Sequence, residues 1–166
     1  MAESDLNVVG ALALYAAHEI ASAVEDETGL NGVAASALVT IGHAQGESID
    51  FLARVLHRSH SAVVRLVGSL VARGLVQRSG GDDARIVQLT LSRSGKQAVR
   101  GALARRNAAL RALLAPLDDA DRTALAGIAR KLVIAHAGDE LNAFWICRLC
   151  DGDACDPCPM AEVFDD

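Results

Sequence analysis

The sequence predicts a mainly helical, α+β protein with one β-hairpin, on three observations. Of its 166 residues, 51% are hydrophobic but only 3% are aromatic. A core of alanine, valine and leucine suits closely packed helices better than stacked sheets. Two short segments with helix-start signals precede two runs of strand-forming residues around a Gly-Gly loop. Beyond them, apolar residues recur near heptad spacing along a longer segment. The length suits one ordinary domain and is short for two.

The elements follow in chain order. Leu6, Val9, Ala13, Ala16, Ile20 and Val24 recur at three- and four-residue steps, predicting a helix over 5–25. Gly29 and Gly32 break it, and a short, nearly buried helix is expected over 33–44, ended by Gly46. Ser48 can cap a third helix, from Ile49 to Leu56, with Asp50 in its first turn. After the connection His57-Arg58-Ser59, Ser59 can cap a fourth helix to Arg73, with Gly74 as a left-handed C-terminal cap. Val63, Leu66, Val67 and Leu70 form its buried stripe; His60, Ser61, Val64, Arg65 and Gly68 lie opposite. Residues 75–79 and 86–91 read as the strands of the hairpin, joined by a polar loop over 80–85. Val99, Leu103, Leu110, Leu113 and Leu117 mark a seam on a long helix over 93–115, stopped by Pro116. Asp118 can cap the last helix, with Leu125, Ile128, Leu132 and Ala135 as its stripe and Gly138 at its end.

The net charge of −5 hides a pattern. Residues 1–50 carry −8, residues 51–111 carry +10 and residues 112–166 carry −7. A contiguous basic block between acidic flanks is the footprint of a polyanion-binding module. Within it, two short helices and a hairpin make a winged helix-turn-helix. On the outer face of the second helix, Ser61 can reach a base edge or phosphate, and Arg65 can make a forked contact to guanine or phosphate. Val64 can meet a thymine methyl. Ser59 and His60 stand at the helix N-terminus, whose free N–H groups suit a phosphate. Arg54, Arg58, Arg73 and Arg78 add charge against the DNA backbone.

The segment LARVLHRSHSAVVRLVGSLVARGLVQR (52–78), followed by DAR (83–85) and LSRSG (91–95), resembles the MarR family of bacterial regulators. The likeness runs from about residue 6 to 138. It implies a homodimer built from the first helix and the last two, with its recognition helices in successive major grooves of a pseudo-palindromic double-stranded operator. The family habit makes such a protein a repressor. By the same resemblance Arg85 enters the minor groove and Asp83 holds it in place. This wing is about a residue shorter than the family pattern, lacks its proline, and carries Gly80-Gly81; Ser92 replaces the usual threonine. Small-molecule effectors are common in the family, often aromatic acids bound between the dimer and DNA-binding regions, although few aromatics are available here to line such a pocket.

All four cysteines fall in one twelve-residue window, Cys147, Cys150, Cys155 and Cys158, spaced C-x2-C-x4-C-x2-C. Each C-x2-C pair can place two thiolates on one ion, and Gly152 allows the short connection to turn back. Zinc is the default occupant. An iron–sulfur cluster is the alternative, echoed by Pro159 after Cys158. Thiol–disulfide switching is the third option. Phe144, Trp145 and Phe164 flank the window, which suggests that it docks on the body of the protein.

The expected division is an N-terminal dimerisation helix (1–32), the DNA-binding region (33–92), C-terminal dimerisation helices (93–140) and a cysteine-rich metal-binding tail (141–166). The functional expectation is a sequence-specific transcription regulator responsive to metal, redox state or a small ligand. The alternative is a metal-stabilised winged-helix module that binds protein partners without specific DNA binding. No nucleophile–base pair, phosphate-binding Gly-rich loop or paired carboxylates in a recognisable context point to an enzyme. The N-terminus has no signal-peptide pattern. The longest uncharged run, Thr28 to Gly46, is too polar for a membrane span, so a cytoplasmic location is expected.

Overall fold

The computed structural model describes residues 1–80, 87–152, 154–155 and 157–161. Its elements are α1 (Glu3–Thr28), α2 (Gly32–His43), α3 (Ile49–Val55), α4 (His60–Ala72), β1 (Val76–Gly80), β2 (Val87–Leu91), α5 (Arg93–Leu113), α6 (Asp119–Ala137) and α7 (Glu140–Ile146). The order matches the sequence reading except for α7, which falls at the start of the cysteine-rich tail.

Side-chain caps set most of the helix starts. Asn31, Ser48, Ser59, Ser92, Asp118 and Asp139 each accept a hydrogen bond from the backbone N–H three residues on. The strands pair antiparallel, with Val76 opposite Leu91 and Gly80 opposite Val87. Ser48 bridges to Gln88, so the start of α3 is tied to the hairpin.

The main core gathers Leu38, Leu52, Val63, Val67, Leu70 and Leu89, contributed by α2, α3, α4 and β2. It fixes the backs of α3 and α4 and leaves their outer faces to solvent. Helices α1 and α5 run together, tied at one point by Arg105 Nε donating to Glu27 Oε2 at 2.8 Å. A second, smaller core joins α6 to the tail: Ala137, Ala143 and Met160 are buried, with Val133, Ile146, Cys147 and Cys158 packed around them. Leu149 packs against the main core, so the tail touches both.

Much apolar surface on α1 and α6 is uncovered. Leu6, Val8, Val9, Leu12, Leu14 and Tyr15 on α1 are exposed, as are Ile128, Leu132 and Ile134 on α6. Helix α1 is long and apolar enough to cross a membrane by length and composition alone, although charges punctuate it.

Candidate nucleic-acid interface and cysteine chamber

The turn between α3 and α4 is a Schellman closure. Arg58 N–H donates to Ala53 O at 3.0 Å and His57 N–H donates to Arg54 O at 3.2 Å. This motif places its C′ residue in the left-handed region, and His57 sits there with φ 49°. Glycine is the usual occupant, and a side chain with a β-carbon costs about 1–2 kcal/mol at such a position. Ser59 Oγ then accepts from Ala62 N–H at 3.3 Å and starts α4. At the far end Gly74, with φ 69°, repeats the closure, and Leu75 N–H donates to Leu70 O at 3.0 Å.

Helix α4 buries Val63, Val67 and Leu70 and exposes Ser61, Val64 and Arg65. Arg54, Arg58, Ser59 and His60 are exposed beside its N-terminus, and Arg78 is exposed on β1. Arg54, Arg58, Arg65 and Arg78 are the exposed arginines among them. His60 Nδ1 pairs with Asp50 Oδ1 at 2.6 Å on the surface, so the ring is oriented by the first turn of α3. Arg73 has a second role in the structure. Expected among the cations that face phosphate, it donates from Nη1 to Gly29 O at 3.0 Å and from Nη2 to Thr28 O at 2.8 Å. Its guanidinium therefore closes the C-terminus of α1, where carbonyls lack helical partners. Asp83 and Arg85 lie outside the described residues.

Cys147, Cys150, Cys155 and Cys158 line a single chamber of about 360 Å³, together with His43, Glu140, Phe144 and Gly152. The residues between Cys147 and Cys150 form a tight turn, with Cys150 N–H donating to Cys147 O at 2.7 Å. The sulfurs of each C-x2-C pair are in hydrogen-bond contact with each other. Among the described residues, no three His, Cys, Asp or Glu side chains are placed as the ligands of one ion. The donor set nevertheless fits a thiophilic metal, because both pairs open into the same chamber. The hydrogen bond from Cys147 holds the Cys150 thiol down at about 6, helped by Arg106, His43 and Arg148, against the opposing effect of burial. Cys147 is pushed up by the same hydrogen bond, by burial and by the other three sulfurs. Burial also raises Cys155.

Aromatic rings fasten this chamber to the body of the protein, as the flanking residues suggested. Phe144 meets Phe51 of α3 edge-on, centroids 5.3 Å apart. Trp145 meets His57 at 5.1 Å, and the Arg148 guanidinium lies 3.7 Å over the indole. His43 Nε2–H donates to Cys150 O at 3.0 Å. A β-carbon on Gly152 would stand 3.1 Å from the same imidazole, a tight approach that glycine leaves open. Phe164, Asp153 and Asp156 lie outside the described residues.

Sequence reasoning missed α7, Met160 and the role of His43. Asp139 followed by Asn142 is a readable N-cap signal for α7. Met160 and His43 carry no local signal, because their contacts come from elsewhere in the chain.

A second cavity of about 480 Å³ lies between α1, α2 and the tail. Its walls are mainly aliphatic, with Arg58, Arg106 and Arg148 among its lining and no carboxylate.

Residues 28–86 match the MarR family. The fold is similar to that of the YusO protein from Bacillus subtilis, with TM-score 0.69 and 23% identity over 80% of this chain and 95% of that one. It is similar to a "probable transcriptional regulator" from Pseudomonas aeruginosa, with TM-score 0.58 and 28% identity over 75% and 96% of the two chains. A MarR-family transcriptional regulator from Rhodococcus sp. RHA1 matches with TM-score 0.61 and 25% identity, over 80% and 95%. No curated protein matches the sequence. Residues 28–86 are thus similar to the MarR family, and the chain has the winged-helix fold seen in these solved structures.

Proposed function

We propose that this MarR-domain protein is a homodimeric repressor that docks two α4 helices on a pseudo-palindromic duplex and carries zinc on Cys147, Cys150, Cys155 and Cys158. The observation that carries the DNA reading is the division of α4. Val63, Val67 and Leu70 anchor it, while Ser61, Val64 and Arg65 stay free in the most basic part of the chain. Arg54, Arg58, Ser59, His60 and Arg78 stand where phosphates would flank that helix, and Asp83 and Arg85 are assigned to the minor groove by family resemblance. Arg73 is left out of the contact set because α1 occupies it.

The uncovered apolar faces of α1 and α6 support a dimer, since exposed leucines and valines of this extent on two helices call for a partner surface. A second copy covers them and brings two α4 helices to one face of DNA. The arginine-lined cavity near the tail suits an anionic effector. These features fit a soluble, cytoplasmic regulator whose occupancy of an operator blocks transcription.

The test is selection of bound sequences from a random double-stranded pool by the full-length protein. Enriched inverted half-sites about one helical turn apart are expected, with affinity falling steeply as salt rises. Arg65→Ala should cost about 1–3 kcal/mol and relax one base position. A reporter gene behind the selected site should be silenced by the protein. No enrichment and little salt dependence would leave the protein-interaction reading in its place. Elemental analysis of anaerobically purified protein tests the metal: zinc without colour supports the proposal. Iron with sulfide and broad visible absorption would make the site an iron–sulfur cluster, and neither metal would make it a redox dithiol site.

A further inference from the structure

We propose that α7 is a positioning strut, through which the state of the cysteine chamber sets the α3–α4 turn that presents the DNA-binding face. The proposal rests on the DNA-binding reading of that face and deepens it.

The geometry is specific. Only seven residues long, α7 is followed directly by Cys147. Its Phe144 and Trp145 reach two points of the helix-turn-helix, Phe51 on α3 and His57 in the turn. His57 is the one non-glycine residue with positive φ among the described residues. A conformation of that kind persists only where neighbouring structure holds it. Here the two backbone hydrogen bonds of the closure hold it, and the indole of Trp145 packs on its ring, itself held by Arg148 from inside the first C-x2-C pair. Arg54 and Arg58, next to this turn, are exposed cations of the proposed interface.

The chamber is in turn weakly built without its sulfur contacts. Its small core has three fully buried residues, Ala137, Ala143 and Met160, and Cys147 and Cys158 form part of the packing around them. Closing four thiolates on an ion fixes the turn from Cys147 to Cys150 and hence the direction in which Trp145 and Arg148 point. Opening them removes the support from His57. The winged helix keeps its own core of α2, α3, α4 and β2, so the effect falls on the turn and not on the fold.

Hydrogen exchange of the full-length protein tests this, and Trp145, the one tryptophan in the chain, adds a fluorescence signal. The parent is compared with a variant with all four cysteines changed to serine, with Phe144→Ala, which leaves the cysteines in place, and with His57→Asn carrying and lacking the serine changes. In the serine variant, amides of residues 51–59 should exchange about tenfold faster, the scale of a coupling carried by a few contacts. Trp145 emission should shift to the red, and amides of the α4 interior should be unchanged. Phe144→Ala should reproduce the faster exchange with all four cysteines present. DNA affinity should fall in both. His57→Asn, which tolerates the left-handed backbone without the imidazole ring, should make residues 51–59 insensitive to the serine changes. Equal exchange at 51–59 in parent, serine variant and Phe144→Ala would overturn the strut, whatever the DNA result. Faster exchange at 51–59 in a protein that binds no DNA would uphold the strut and remove the DNA-binding reading instead.

Discussion

A β-carbon built on Gly95 would lie 2.0 Å from the carbonyl oxygen of Leu75. The start of α5 passes so close to the end of α4 and start of β1 that only hydrogen fits between them. The same junction is laced by Ser92 N–H donating to Leu75 O at 3.0 Å, and by the hydroxyls of Ser92 and Ser94 donating to Gly74 O at 2.6 and 2.7 Å. This gives LSRSG its physical reason: two serines grip a carbonyl, and the glycine lets the helix come near enough to be gripped. It also shows why Ser92 serves in place of threonine, since the hydroxyl supplies both the cap and the grip.

Gly95→Ala should therefore destabilise the protein by at least about 2–3 kcal/mol, because the obstacle is backbone and cannot rotate away. A melting point about 5–10 °C below the parent's is the expected reading for a chain of this size. A shift of under a degree would mean that α5 can move aside, and that the wing is not held by this junction.

Arg73 and Arg78 separate structure from recognition. Arg73→Ala removes two hydrogen bonds to the carbonyls ending α1, at a cost of about 1 kcal/mol given its exposure. Its DNA affinity at a fixed temperature well below melting should match the parent's. Arg78→Ala should leave melting unchanged, weaken binding evenly across sequences and reduce the salt slope by about one phosphate contact. The reverse pattern in fluorescence-anisotropy titrations would return Arg73 to the DNA face.

The division between what was legible and what was not follows interaction range. Local rules carried the element order: Ser48, Ser59 and Asp118 announce their helices, and Gly74 announces an end, because caps act within three residues. The exposed set Ser61, Val64 and Arg65 was readable from helical spacing alone. The structural contacts of Arg73 were not legible because its partners, Thr28 and Gly29, are more than forty residues earlier in sequence. His57 read as an ordinary turn residue because neither its left-handed backbone nor its distant partner Trp145 has a local mark. Cysteine spacing announced a site, whereas its contact with His43 required the fold.

The dimer makes a prediction that does not involve DNA. Leu14 on α1 is 77% exposed and Leu132 on α6 is 56% exposed, so a charge at either is harmless to an isolated chain. In the proposed homodimer both would place a carboxylate in an apolar interface without a partner, which costs several kcal/mol. Leu14→Asp and Leu132→Asp should each sediment as a folded monomer at concentrations where the parent sediments at twice the mass. Parent-like sedimentation by both variants would place the dimer contact elsewhere.

Thr40 sets a prediction of the opposite sign. It lies in α2 at 1% exposure, beside a small gap also lined by Glu47, Ser48, Phe51, Leu52 and Leu89, and its Oγ1 has no hydrogen-bond partner. The space beside it leaves no room for a water. A buried hydroxyl left unpaired costs about 1–3 kcal/mol, whereas valine has the same shape and no polar atom to satisfy. Thr40→Val should stabilise the protein by about 1 kcal/mol and raise its melting point by about 2–4 °C. Thr40→Ser keeps the hydroxyl and loses a buried methyl group, so it should melt below the parent. If valine lowers the melting point instead, the threonine hydroxyl has turned to the carbonyl of Ser36 one helical turn back, an available acceptor for this residue type. The two variants together distinguish a hydroxyl that burdens the core from one that is quietly paired inside it.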